Sequence, residues 1–263
     1  MEETRWPGAE RIELAQGALV AALIAVAALG WLLTGERMSG MDMGPGTDLG
    51  SLGFYLSVWV VMMAAMMLPS AAPMVLAHSA VERRRRELGR TGRRGASAAF
   101  VGGYLLVWTA FGVVAYALFE FVRSLDIEAL SWSRDGPYVA AGVIAAAAIY
   151  QLSPLKDACL AKCRSPLAFV VGSWRDGHLG ATRMGVEHGA WCVGCCWGLM
   201  VTLFAVGVMS ITWTAVIAVL VALQKLLPWA TVGSRGIALL LIALAVGVAA
   251  APDQVPALTI PGG

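Results

Sequence analysis

Residues 59–78 read WVVMMAAMMLPSAAPMVLAH and lie inside an apolar run from Leu52 to Ala80. No charged side chain interrupts that run. It is longer than the roughly 20 apolar residues a helix needs to cross a hydrocarbon core of about 30 Å. Such a segment belongs in a membrane, and six more accompany it. They are Leu14–Leu33, Ala96–Val122, Pro137–Leu152, Val186–Val208, Ser210–Leu227 and Gly236–Ala251, of which the fourth and seventh spans in chain order are short. The expected fold is all-α, a polytopic transmembrane helix bundle of about seven spans forming a single integral-membrane domain over residues 1–263.

Composition agrees. Of 263 residues, 59% are hydrophobic and 14% charged, with a mean hydropathy of +0.73. Soluble domains run at roughly 45–50% apolar and about 25% charged residues. A soluble enzyme, a disordered chain and a nucleic-acid binder are excluded on this ground. The net charge of +2 is too small to imply a polyanionic partner. Ahead of the first span, Met1 to Glu13 carries four acids against two arginines, and no small-residue cleavage site follows the span. It is read as a membrane span rather than a cleavable signal peptide.

Basic residues sort by loop parity. Of the 19 Lys and Arg, all but Arg37, Arg123 and Arg134 fall in the leader and the second, fourth and sixth loops, with a run at Arg83–Arg86. The positive-inside rule then places the N-terminus in the cytoplasm and the C-terminus outside. The arginine run meets anionic lipid there rather than nucleic acid.

Chemistry is concentrated in five cysteines, twelve methionines and three histidines. At about 100° per residue, Met63, Met67, Ser70, Met74 and His78 share an arc of roughly 80° on the second span. Three thioethers, a hydroxyl and an imidazole therefore stack along one face. Pro69 and Pro73 each remove a backbone donor and are expected to kink this helix. The fifth span opens HGAWCVGCCWGLM, from His188 to Met200. His188, Cys192, Cys195 and Cys196 lie within about 100° of one helical face. Thiolates and imidazole are the ligands of Cu(I) and Zn(II), and spacings of three and four residues aim them at one point. Gly185/Gly189 and Gly194/Gly198 are small-xxx-small pairs that admit a close neighbour. Packing alone is the plainer reading of both the methionines and the thiols.

Past the fourth span, Cys159 and Cys163 form a C-x3-C pair among Lys156, Lys162 and Arg164, expected in the cytoplasm. In the same loop, Pro166–Trp174 is apolar enough to lie in the interface as a short helix. Met38, Met41 and Met43 sit in the first loop, placed outside, where thioethers survive oxidation. At 1.5 Å per residue, Met74 and His78 lie roughly 5–10 Å inside the cytoplasmic end of the second span, at about the depth of Cys192 and Cys196. A ladder of soft ligands from outside to inside results. Tyr150 and Gln151 are candidate supports for the ligands, His178 reads as a solvated histidine, and Lys225 is expected to snorkel to the interface.

These blocks resemble a bacterial family of predicted metal-binding integral membrane proteins. The resemblance rests on WVVMMAAMMLPS at 59–70, YQLSPLKDACLAKCRSP at 150–166 and HGAWCVGCCWGLM at 188–200, with the Trp174–Gly177 and Gly207–Met209 stretches, and it covers about residues 52–228. It implies metal binding and, more loosely, copper. Members commonly carry an acid before the lysine of the sixth span, where this chain has Gln224.

The leading reading is Cu(I) held by Cys192, Cys195, Cys196, Met74 and His78 in the cytoplasmic half of the bilayer, for delivery or transport. His188, Met67, Met63, Cys159 and Cys163 complete the candidate ligands. Copper is preferred because thioethers suit Cu(I) better than Zn(II), although zinc is possible. The metal ion, membrane lipid and a soluble copper donor or acceptor are the expected partners, and nucleic acid is not. The alternative is a thiol–disulfide electron carrier using Cys192/Cys195 and Cys159/Cys163. No residue set resembles a hydrolytic or transferase site, so the reading is non-enzymatic, and Walker, dinucleotide-binding and HExxH motifs are absent.

Overall fold

The backbone of the Met-rich span starts at Ser51, whose hydroxyl accepts from the Phe54 N–H at 3.3 Å and caps the first turn of a 36-residue helix. In the computed structural model this helix, α2 (Leu52–Glu87), runs unbroken through Pro69 and Pro73. The structure describes residues 9–38, 48–89, 95–125, 135–227, 230–255 and 258. The Met41 and Met43 part of the first loop lies outside them. Around α2 stand α1 (Ala9–Met38), α3 (Ala96–Ser124), α4 (Gly136–Gln151), α5 (Pro154–Cys163), α6 (Pro166–Gly172), α7 (Gly177–Val206), α8 (Ile211–Leu226) and α9 (Ala230–Ala250). No strand occurs among the described residues. The chain is an all-helical polytopic bundle.

Among the described residues, five helices are long and apolar enough to cross a membrane: those within α1, α2, α3, α7 and α9. The other two expected spans are built differently. The fourth is α4 followed by α5, bent by 67° at their junction. Ser153 caps α5 by accepting from the Lys156 N–H at 3.2 Å, and Pro154, lacking an N–H, fits the first turn of a new helix better than the last turn of an old one. The sixth, α8, is an apolar helix of only 16 residues.

The fourth loop is more structured than its sequence implies. The apolar piece after Pro166 is the short helix α6, with Phe169 and Val170 turned inward and Leu167 and Val171 exposed. Helix α7 begins at Gly177, a full two turns before the apolar stretch, so His178 lies in its first turn. Asp176 does not cap α7 with its side chain, because its carboxylate accepts from Trp174 Nε1 at 2.9 Å and Arg85 at 2.8 Å.

Helix α7 is the hub of the bundle, with α3, α4, α5 and α8 packed on it. Its approach to α3 depends on glycine. A Cβ at Gly103 would overlap the Thr182 carbonyl, and one at Gly185 would overlap the Phe100 carbonyl. The small-residue pattern thus brings two backbones into contact, as expected of helices packing in lipid. On another side of α7, a Cβ at Gly194 would come within 2.7 Å of the Cys159 sulfur. These two close approaches place α3 and α5 on either side of the cysteine motif.

Candidate metal centre

One turn and a residue of α7 carry three of the five thiols. Cys192, Cys195 and Cys196 are buried, and their sulfurs lie within 4.8 Å of one another. Cys195 Sγ is 3.3 Å from Cys196 Sγ, and its own thiol donates to the Cys192 carbonyl at 3.2 Å. Among the described residues this trio is the one group of three or more His, Cys, Asp or Glu side chains placed to hold an ion.

The bend between α4 and α5 changes the place of the second cysteine pair. It turns α5 back against α7, so that Cys163 Sγ stands 3.8 Å from Cys195 Sγ and Cys159 packs on Gly194. All five cysteines are free. The C-x3-C pair is therefore beside the trio rather than a separate rung below it. Arg164, the cap of α5, donates to the Gln224 carbonyl at 3.2 Å and to the Leu227 carbonyl, fastening α5 to the end of α8.

Lys225 corrects the sequence reading. It does not snorkel. It is 8% exposed, and its Nζ donates to Cys192 Sγ at 2.9 Å and to Ser70 Oγ at 3.3 Å. Beside it, Gln224 Nε2 donates to Cys196 Sγ at 3.6 Å. The phenol of Tyr104, on α3, meets Cys192 Sγ at 3.1 Å. The sulfur trio thus has hydrogen-bonding groups from α3 and α8 around it, the kind of surround that orients metal ligands. Lys225 and Gln224 as neighbours of the sulfurs, and Tyr104 with them, were not found from sequence. Only the departure at Gln224 from the family pattern marked the place.

The methionine face of α2 is buried as expected: Met63, Met67 and Met74 are each at most 1% exposed. Ser70 lies between Met67 and Met74 on this face, donates to the Met67 carbonyl at 2.9 Å and accepts from Lys225. Lys225 therefore joins the Met face of α2 to the Cys face of α7. No thioether belongs to the trio.

The two histidines occupy a neighbouring aromatic stack and likewise stand outside the trio. His78 lies between Trp174 (5.4 Å) and Phe100 (5.1 Å), with Nδ1 3.2 Å from Ser97 Oγ. His188 packs against Phe100, Tyr104 and Phe169. His78 Nε2 and His188 Nδ1 are buried without a hydrogen-bond partner among the described residues. Tyr104 links this stack to the sulfurs, since its ring lies 5.5 Å from His188 and its hydroxyl touches Cys192.

Tyr150 donates to the Gly194 carbonyl and packs on Trp197 at 4.7 Å, so it braces the cysteine turn of α7. Gln151 is buried.

The donor set suits a soft ion. Three thiols converge at a spacing that one ion can span, in an apolar enclosure with nitrogen and hydroxyl donors around the sulfurs. No curated protein and no solved structure matches the chain. The family described as PpoB2: Copper chaperone matches residues 56–248, a span that takes in α7, α8 and every cysteine, and the chain belongs to that family.

Proposed function

We propose that this protein binds Cu(I) through the thiolates of Cys192, Cys195 and Cys196 and hands it on within a bacterial inner membrane. The observation that carries the reading is the convergence of three buried sulfurs within 4.8 Å. The family's description as a copper chaperone supports the choice of metal. Thiolates match Cu(I), and their negative charge lowers the cost of a cation at membrane depth. Cys163 is the natural transfer ligand, because its sulfur adjoins Cys195 and it is the least buried of these thiols. Met63, Met67, Met74, His78, His188 and Cys159 are proposed as a wider path of soft donors rather than as the resting ligands. The role is carriage of an ion rather than catalysis. A soluble donor or acceptor meets the basic, cytoplasmic side, with anionic lipid around it, and the N-terminus is inside.

Metal content tests this directly. Protein purified without oxygen and loaded with Cu(I) is compared with the Cys192→Ser/Cys195→Ser/Cys196→Ser variant. About one copper per chain in the parent and none in the variant is expected. Full occupancy in the variant would refute the site.

A second reading has one observation in its favour. The contacts Cys163–Cys195 and Cys195–Cys196 place sulfurs close enough for thiol–disulfide exchange. A reversible disulfide in metal-free protein that never takes up copper would favour electron transfer.

A further inference from the structure

His78 ends the methionine face of α2 with one ring nitrogen unaccounted for. The side chain is 1% exposed, Nδ1 lies 3.2 Å from Ser97 Oγ, and Nε2 has no hydrogen-bond partner among the described residues. A buried polar atom left without a partner is costly and points to a use. Ser97 Oγ can accept from an Nδ1–H, the arrangement in which an imidazole keeps its Nε2 lone pair for a metal ion.

The cover of this histidine comes from a joint and not from a helix. Trp174 lies in the non-helical stretch between α6 and α7 and stacks on His78 at 5.4 Å. Its Nε1 donates to Asp176 Oδ1 at 2.9 Å, and Arg85 donates to the same oxygen at 2.8 Å while lying over the indole at 5.1 Å. These three side chains form a latch at the arginine-bearing end of α2. The latch is weak, because Asp176 is 48% and Arg85 23% exposed, so water and salt screen the pair. Beside it the chain has room to turn: Gly177 sits at φ +80°, and nothing lies within 4 Å of where its Cβ would be. A part of a protein that opens to admit a ligand is drawn from such weakly held segments. His188 has no comparable cover, being walled by Phe100 and Tyr104 of α3 and Phe169 of α6.

We propose that His78 is the loading port for the metal ion and that Trp174, latched by Asp176 and Arg85, is its lid. The inference rests on the metal-binding reading and adds the place where the ion enters. Inward of His78 the donors continue. Phe100 packs on both His78 and His188, and His188 Nδ1 is likewise without a partner among the described residues. His188 precedes Cys192 by one turn on the same face of α7. Imidazole accepts copper and thiolate selects Cu(I), so the ion moves from a port of nitrogen donors towards softer ones. Entry under Trp174 and hand-over at Cys163 then use different elements, α2 with the α6–α7 joint for the first and α5 for the second.

The test has two arms, both on detergent-purified protein. Diethyl pyrocarbonate labelling, followed by proteolysis and mass spectrometry, reads the lid without any metal, and the three histidines supply the controls. In the parent the exposed His178 is expected to react fast, and the buried His78 and His188 slowly. Asp176→Asn should raise the His78 rate about fivefold, the effect of losing one half-exposed ion pair. Trp174→Ala should raise it further, with His178 and His188 unchanged in both variants, and Asp176→Asn serves alone if Trp174→Ala fails to fold. In the second arm Cu(I) in acetonitrile is added under argon and its uptake is followed in time. Asp176→Asn should load faster than the parent to the same copper content, and His78→Phe, which keeps a ring in the stack, should load severalfold more slowly. A His78 labelling rate that the lid variants leave unchanged, or that rises together with that of His188, overturns the lid. Loading of His78→Phe at the parent's rate overturns the port while leaving the metal site standing. A parent that takes up no copper overturns the metal reading itself, and the port with it.

Discussion

The Lys225 ammonium and the Cys192 sulfur, 33 residues apart in sequence, meet at 2.9 Å inside the bundle. The contact joins the end of α8 to the middle of α7, and through Ser70 it reaches α2. Lys225 of α8 and Tyr104 of α3 thus touch one sulfur of α7, and α2 holds that lysine through Ser70, which is why the cluster is fixed by the bundle as a whole and not by α7 alone.

The adjacent glycines Gly102 and Gly103 should respond in opposite ways to alanine. A Cβ at Gly103 overlaps the Thr182 carbonyl, whereas nothing lies within 4 Å of one at Gly102. Gly103→Ala is expected to destabilise by about 1–3 kcal/mol through overpacking. Gly102→Ala should be neutral or stabilising by up to about 1 kcal/mol through helix propensity. Unfolding in detergent micelles compares the two, and equal values would contradict the close approach of α3 to α7.

Mild oxidation of metal-free protein should join Cys163 to Cys195 before it joins Cys159 to Cys163, because the first pair already stands at 3.8 Å while Cys159 is packed on Gly194. Proteolysis and mass spectrometry under non-reducing conditions identify the linked peptides. A dominant Cys159–Cys163 link would mean that α5 does not rest on α7.

Removing Arg85 should cost little. Its ion pair with Asp176 spans 2.8 Å, but the side chains are 23% and 48% exposed. The guanidinium also covers Trp174 at 5.1 Å. Together these contribute on the order of 1 kcal/mol, less in high salt. Arg85→Ala is therefore expected to lower thermal stability slightly at low ionic strength and almost not at all in molar salt. A loss that salt leaves untouched would point to packing by the side chain's stem instead.

Asp48, outside the spanning helices, accepts from the Gly50 N–H at 2.8 Å and pairs with Arg123 at 3.4 Å. The Gly50 hydrogen bond, and then Arg123, hold its carboxyl below the ordinary carboxylate range. A depressed folded value stabilises at neutral pH and loses that contribution as pH falls through it. Asp48→Asn should therefore match the parent in strong acid and fall slightly below it at neutral pH. A variant gap that is the same at every pH would remove the carboxylate from the explanation.

Much of this architecture is legible one residue at a time. The apolar runs mark the helices because hydrocarbon leaves no other way to satisfy a backbone. The Gly185/Gly189 pair marks the α3–α7 contact, and Gly194/Gly198 the approach of α5 and α4, because small side chains are needed where helices touch closely. The three thiols of α7 fall within five residues of sequence, so helical geometry alone gathers them. Cys163 and Lys225 escape this kind of reading. Cys163 reaches Cys195 only because α5 folds back at Pro154, and a 67° bend has no one-dimensional signature beyond the Ser-Pro pair. A lysine closing an apolar run is read as interfacial, since a free ammonium belongs in water. Its inward course requires a counter-charge 33 residues away that only the folded bundle supplies.

The enclosure of the sulfurs has a kinetic meaning. Cys192, Cys195 and Cys196 are each at most 1% exposed, and the Arg164 bonds to α8 close the α5 side. With an ion held there as proposed, an acceptor would reach it only when α5 or α8 shifts, so hand-over would follow the breathing of the bundle and level off as acceptor is added. The dwell would then be written into the helices rather than into the metal–sulfur bonds.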